Sequence, residues 1–177
     1  GFIKEIESRF EATQIEDGPE ARLRSGHGHT QEEMFLVKYG TPKRAPDWVL
    51  YPSDEAEVEF LVEAAARHSV VLLPYGGGTN VSGALQCPPE ETRMIVAVDL
   101  RRLNRIRWID PVNRLAEVEA GVVGRHLVAQ LAQYGLSPGH EPGSIEFSTL
   151  GGWIATNASG MKKNKYGNIE ELSEDVR

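Results

Sequence analysis

Apolar and polar positions alternate along this chain in a way that divides it into short elements. Residues 1 to about 24 are charged, with scattered apolar positions at Phe2, Ile3, Ile6 and Phe10, a pattern suited to a short helix lying on a domain. Pro42 and Pro46 set off Asp47-Trp48-Val49-Leu50-Tyr51, which reads as a strand. Ser53 is placed to cap a following helix whose first turn carries Asp54 and Glu55. In that helix Val58, Leu61, Val62 and Ala65 fall at i, i+3, i+4 and i+7 and predict one buried face ending near His68. Ser69 to Leu73 reads as the next strand, and Met94 to Leu100, apolar and bounded by charge, as another.

The second half begins with a predicted hairpin. Ile106 to Ile109 and Leu115 to Ala120 flank the turn composition Asp110-Pro111-Val112-Asn113. In the second arm Ala116, Val118 and Ala120 alternate with Leu115, Glu117 and Glu119, so only one face is apolar. Arg125 to Tyr134 predicts a helix with Leu127, Leu131 and Tyr134 inward, stopped by Gly135. A short helix is expected from about Thr149, across the small residues Gly151-Gly152-Trp153-Ile154-Ala155. Strand, helix, strand, hairpin and helix in this order imply an α+β domain with mixed sheets flanked by helices.

The most informative run lies at the end of the Ser69 strand: Leu72-Leu73-Pro74-Tyr75-Gly76-Gly77-Gly78-Thr79-Asn80-Val81-Ser82-Gly83. Glycines without Cβ let backbone N–H groups approach a ligand and turn through positive φ. Several such groups facing one concavity attract an anion, and a phosphate or pyrophosphate is the natural guest. Thr79, Asn80 and Ser82 add side-chain donors. The run is not a P-loop, because Gly78 is followed by Thr79-Asn80 rather than by lysine and a hydroxyl residue. Nor is it the dinucleotide fingerprint, because Val81 stands where the third glycine would open a helix. The plain alternative is a turn that binds nothing.

Composition narrows the classes. The chain has 177 residues, enough for a domain with a core, and begins with Gly1 rather than Met, so we expect it to be part of a longer protein. A net charge of −7 offers no basic face for nucleic acid. No apolar run approaches the roughly 20 residues of a membrane span. The single cysteine, Cys87, cannot form an internal disulfide and reads as inert filler. His27 and His29, without further ligands at metal spacing, read as loop residues, and no metal is expected.

Two later blocks give the glycine run its context: Gly139-His140-Glu141-Pro142-Gly143-Ser144-Ile145-Glu146-Phe147-Ser148-Thr149-Leu150-Gly151-Gly152-Trp153, and Thr156-Asn157-Ala158-Ser159-Gly160-Met161-Lys162-Lys163-Asn164-Lys165-Tyr166-Gly167-Asn168-Ile169-Glu170. Pro74 to Asn80 resembles the pyrophosphate loop of the PCMH-type flavoproteins, the family of vanillyl-alcohol oxidase and D-lactate dehydrogenase. All three blocks together are similar to its alkyldihydroxyacetonephosphate synthase (alkylglycerone-phosphate synthase) branch, from about Arg24 to the end.

The resemblance implies an N-terminal helical or loop extension over residues 1–40 and a PCMH-type FAD-binding domain over 41–177, with the substrate domain beyond the chain. It implies non-covalent FAD, since Thr79 to Gly83 lack the histidine that tethers the ring in other members. It places Pro74, Tyr75, Gly76, Gly77, Gly78, Thr79 and Asn80 around the cofactor, with Gly143, Ser144, Ile145, Glu146, Phe147, Ser148 and Thr149, and with Thr156, Asn157, Ala158 and Ser159. Gly143 and Asn157 stand where the resemblance would put aspartate and arginine.

His140 reads either as a polar, catalytic group near flavin or substrate or as a structural histidine bonded to loop backbone. Lys162, Lys163 and Lys165 read as solvated charges or as packing for the cofactor loop. The implied activity exchanges the acyl group of acyl-dihydroxyacetone phosphate for a fatty alcohol, with no net redox change. The alternatives are a FAD-dependent D-2-hydroxy-acid dehydrogenase or oxidase, and a non-catalytic FAD-binding unit. The resemblance further implies a homodimer, peripheral membrane association, and a peroxisomal or related microbody location in a eukaryote, cytoplasmic in a bacterium.

Overall fold

The computed structural model describes residues 1–176, and they form two compact units that divide after Arg102. In the first unit the chain runs through α1 (Phe2–Ile6), β1 (Ile15–Glu16), α2 (Pro19–Ser25), α3 (Gln31–Tyr39), β2 (Trp48–Leu50), α4 (Glu55–His68), β3 (Val71–Tyr75) and β4 (Ile95–Asp99). The sheet order is β1-β2-β4-β3. β4 is parallel to both β2 and β3, while β1 joins β2 antiparallel, so the sheet is mixed as expected.

Side chains on a strand alternate between faces. Leu50, Val96 and Val98 point to one face and pack with Phe2, Ile6, Phe10, Leu61, Ala64 and Ala65. Val49 and Ala97 point to the other and pack with Ala21 of α2. β4 is buried along its whole length, as a central parallel strand covered on both faces must be.

Three local expectations shift. The cap of α4 is Asp54, whose carboxylate accepts from Glu57 N at 2.8 Å; Ser53 N instead donates to Glu57 Oε2 at 2.7 Å. Leu61 and Ala65 are buried as expected, but Val62 is 55% exposed and Ala64 replaces it on the inner face. A 100° step per residue allows either neighbour, and the small Ala64 fits closer to the sheet. The strand expected over Ser69–Leu73 is β3, displaced to Val71–Tyr75, because Ser69 takes a left-handed φ of 54° to close α4. Pro74 is tolerated within β3 because β3 pairs on one side only, with β4.

The second unit contains β5 (Ile106–Asp110), β6 (Leu115–Val118), α5 (Gly124–Ala132), α6 (Leu150–Ala155), α7 (Lys163–Tyr166) and α8 (Ile169–Leu172). β5 and β6 form the expected antiparallel hairpin, with Asp110 Oδ1 accepting from Val112 N and Asn113 N to close the turn. Its core gathers Val122, Leu127, Leu131, Trp153 and Ile169. α5 ends at Ala132, two residues earlier than expected, and Tyr134 is 52% exposed rather than inward. Leu136 N reaches back to Leu131 O at 3.0 Å around Gly135 at φ +69°, so the helix has already closed before Tyr134 could complete another turn.

Candidate functional site

In the first unit the glycine-rich run leaves β3 at Tyr75. Tyr75 is buried, with the Arg101 guanidinium 5.3 Å from its ring centroid and Asp99 fixing that guanidinium in turn. Gly78 sits at φ +69°, and a Cβ there would run into the Tyr75 hydroxyl. The turn therefore depends on glycine twice, for its dihedral and for space.

Asn80 holds the far side of the loop. Its Oδ1 accepts from Ser82 N at 3.0 Å and Ala84 N at 2.9 Å, and its Nδ2 donates to Ser82 Oγ at 3.0 Å. Its backbone oxygen accepts from His29 N at 2.6 Å. The Asn80 and Ser82 side chains, expected as donors to a ligand, also shape the loop itself.

The segment that meets Asn80 is itself anchored. Glu33 is 4% exposed, and its carboxylate accepts from Gly28 N at 2.8 Å and Thr30 N at 3.0 Å. Burial pushes that carboxyl's pKa up, but the two N–H donors, the Thr30 hydroxyl and nearby His27 outweigh it and hold it below the usual range. His27 Nδ1 lies 2.7 Å from Gly28 O. Among the described residues no group of three His, Cys, Asp or Glu side chains is placed to hold a metal ion. Cys87 is buried, and burial pushes its thiol up to about 11, which keeps it unreactive.

In the second unit the two later blocks come together. Met161 N donates to Glu141 O at 2.9 Å, and a Cβ on Gly160 would lie 2.8 Å from Glu141 N. Beside this contact is a cavity of about 430 Å³, lined by residues that include Pro142, Gly143, Ser159, Gly160 and Asn164. Lys162 pairs with the Glu141 carboxylate, so one of the three lysines braces this contact. A Cβ on Gly143 would meet nothing within 4 Å, so its backbone is open to a ligand.

Ser144 to Thr149 is a tight turn into α6. Ser148 N donates to Ser144 O at 2.8 Å, and Ser144 stands at φ 55°. The Ser148 hydroxyl accepts from Trp153 Nε1 at 2.8 Å, and Thr149 caps α6. Both hydroxyls are buried and serve the fold, whereas Phe147 is 65% exposed. Gly151 and Gly152 divide. A Cβ on Gly151 would lie 2.7 Å from Ala120 Cβ, so Gly151 serves packing; Gly152 is exposed and meets only its own cap. Asn157, at φ 47°, closes α6, with Ala158 N donating to Trp153 O at 2.9 Å. Asparagine tolerates that left-handed position better than the arginine the resemblance would place there.

His140 is 1% exposed, and neither ring nitrogen has a hydrogen-bond partner among the described residues. The loop-backbone bond that sequence reasoning offered as one possibility is not made. Burial lowers its pKa, with Glu170 pulling the other way. It lines a second cavity of about 350 Å³ together with Ser137, Ile145 and Met161.

The family model described as FAD binding domain matches residues 46–177. The chain belongs to the FAD-binding domain family. Over 151 residues this FAD-binding domain is 49% identical to alkyldihydroxyacetonephosphate synthase of Caenorhabditis elegans, covering 85% of this chain and 25% of that protein. Over 176 residues it is 39% identical to the synthase of Dictyostelium discoideum, covering 99% of this chain and 29% of that protein. A solved structure of alkyldihydroxyacetonephosphate synthase matches with a TM-score of 0.93 at 39% identity, over 98% of this chain and 31% of that one. The chain thus spans between a quarter and a third of the length of these proteins.

The residues present suit FAD. The first unit has a glycine turn whose backbone can approach a pyrophosphate. The second has an open backbone at Gly143 and a buried imidazole with both nitrogens unpaired.

Proposed function

We propose that this chain is the flavin-holding part of an alkyldihydroxyacetonephosphate synthase, which replaces the acyl group of acyl-dihydroxyacetone phosphate by a long-chain alcohol. The observation that carries this reading is the 39–49% identity to synthases sustained over 85–99% of the chain. The match to the Dictyostelium discoideum synthase, over 99% of the chain, spans the blocks around His140 and Ser159 as well as the glycine run.

In the first unit, Pro74 to Asn80 would hold the pyrophosphate through backbone N–H groups. In the second, Gly143 to Thr149 and Thr156 to Ser159 are further cofactor-binding candidates by the likeness to synthases. When bound, FAD supplies conjugated ring chemistry that ends with no net gain or loss of electrons. This chain's residues bind and orient that ring. His140, whose burial favours the neutral ring, can accept a proton at one ring nitrogen and donate from the other. FAD is held non-covalently, since no histidine lies between Thr79 and Gly83.

Dimerisation, peripheral membrane association and a peroxisomal or microbody location belong to the same proposal and rest on the likeness to synthases. Fractionation of source cells checks the location, and a soluble-fraction protein absent from organelles would remove it. No helix among the described residues is long and apolar enough to cross a membrane. Ether formation by the full-length protein without an electron acceptor tests the activity.

A further inference from the structure

Glu33 lies 43 residues before Gly76, the first glycine of the run, and nothing in its residue type marks it as functional. The structure nevertheless links it to that run by a short chain of contacts. Its carboxylate accepts from Gly28 N and Thr30 N, fixing the turn that contains Gly28 and His29. His29 N then donates to Asn80 O at 2.6 Å. Gly28 lies so close to the same carbonyl that a Cβ there would overlap it. Asn80 in turn organises Ser82 and Ala84. An ionised carboxylate is the group best suited to accept two backbone N–H donors at once, and a buried one persists only where such donors satisfy it.

We propose that Glu33 is a positioning residue for the glycine-rich FAD loop, acting through Gly28 and His29 on Asn80. The proposal rests on the FAD-binding reading of Pro74 to Asn80. Glu33 acts on that loop through the Gly28–Thr30 turn. It sets where the Asn80 carbonyl sits and therefore how the N–H groups before it are aimed. A bare helix-capping role is separable, because Thr30 makes the other half of the same cap, its hydroxyl accepting from Glu33 N at 3.1 Å.

The test uses the full-length protein stripped of FAD and titrated back with FAD, following flavin fluorescence, with thermal midpoints of both forms. Glu33→Gln keeps the shape but turns an N–H₂ toward one of the two backbone donors. It should weaken FAD binding by about tenfold or more, the scale of a buried hydrogen bond replaced by a mismatch. The midpoint gain on adding FAD should shrink with it. Thr30→Ala removes the cap hydroxyl alone and should lower the midpoint of both forms while leaving FAD affinity within about twofold. If Glu33→Gln fails to fold, Gly28→Ala carries the test, since its methyl group displaces Asn80 directly and should weaken FAD binding on the same scale. Unchanged affinity in Glu33→Gln, with both forms destabilised equally, or unchanged affinity in Gly28→Ala, overturns the proposal. Failure of the unmutated protein to bind FAD would instead overturn the reading of the loop.

Discussion

The His140 imidazole meets the Trp153 ring edge-on, with centroids 5.2 Å apart and planes inclined by 62°. Trp153 is fixed by its bond to Ser148, so His140 packs against a held surface while both its nitrogens stay unpaired. A buried polar group left in this state costs stability, which natural chains accept where the group has work to do.

His140→Leu should therefore leave the full-length protein as stable at pH 7.5, or more stable by about 1 kcal/mol, because it removes an unpaired polar group. Synthase turnover should fall by about 10²-fold or more if His140 moves a proton. The pH dependence separates the two proteins. Burial lowers the His140 pKa in the fold, and above its unfolded value of about 6.5 the ring is neutral in both states. As the pH falls below that value, the unfolded chain gains a proton that the folded ring refuses. Stability is lost through the window between 6.5 and the lowered folded pKa. Urea midpoints from pH 7.5 to 5 should fall less in His140→Leu than in the parent. Parallel curves would show that His140 is already charged or hydrogen-bonded.

Gly78→Ala should strip the protein of flavin. The added methyl group meets the Tyr75 hydroxyl, and a left-handed φ costs an L-residue about 1–2 kcal/mol. Flavin content per folded protein is the measurement, with circular dichroism as the fold control. Full occupancy in a folded variant would reduce the run to a turn.

FAD should leave the protein on acid precipitation, colouring the supernatant yellow. The segment Thr79-Asn80-Val81-Ser82-Gly83 has no histidine to tether the ring, and Cys87 is buried. Flavin retained in the pellet would contradict non-covalent binding.

Much of the architecture was legible because periodicity reports burial directly. Leu61 and Ala65, the buried β4 and the hairpin around Asp110 stand where their patterns put them. Two kinds of feature were not legible. The first is the short helices α2, α3, α7 and α8, which bury too few apolar side chains to set a pattern: Ala21 in α2, Ile169 in α8 and none in α3 or α7. A capping box, Thr30 with Glu33, was the available signal for α3. The second is the partner of each polar group. Sequence shows that Asn80, Ser148 and Thr149 can bond, but not which groups of the fold they meet. Gly151 and Gly152 make the same point: adjacent and identical, one is pressed against Ala120 and the other is open.

Anaerobic flavin absorbance of the full-length protein, with mass spectrometry of the products, bears most directly on the proposed activity. With acyl-dihydroxyacetone phosphate and a long-chain alcohol, the ether product should form with no electron acceptor present, and a dye acceptor should not accelerate it. D-lactate or a similar hydroxy acid should leave the oxidised flavin spectrum unchanged. Stoichiometric bleaching by the hydroxy acid, reversed by the dye and accompanied by no ether product, would contradict the synthase and establish a dehydrogenase in its place.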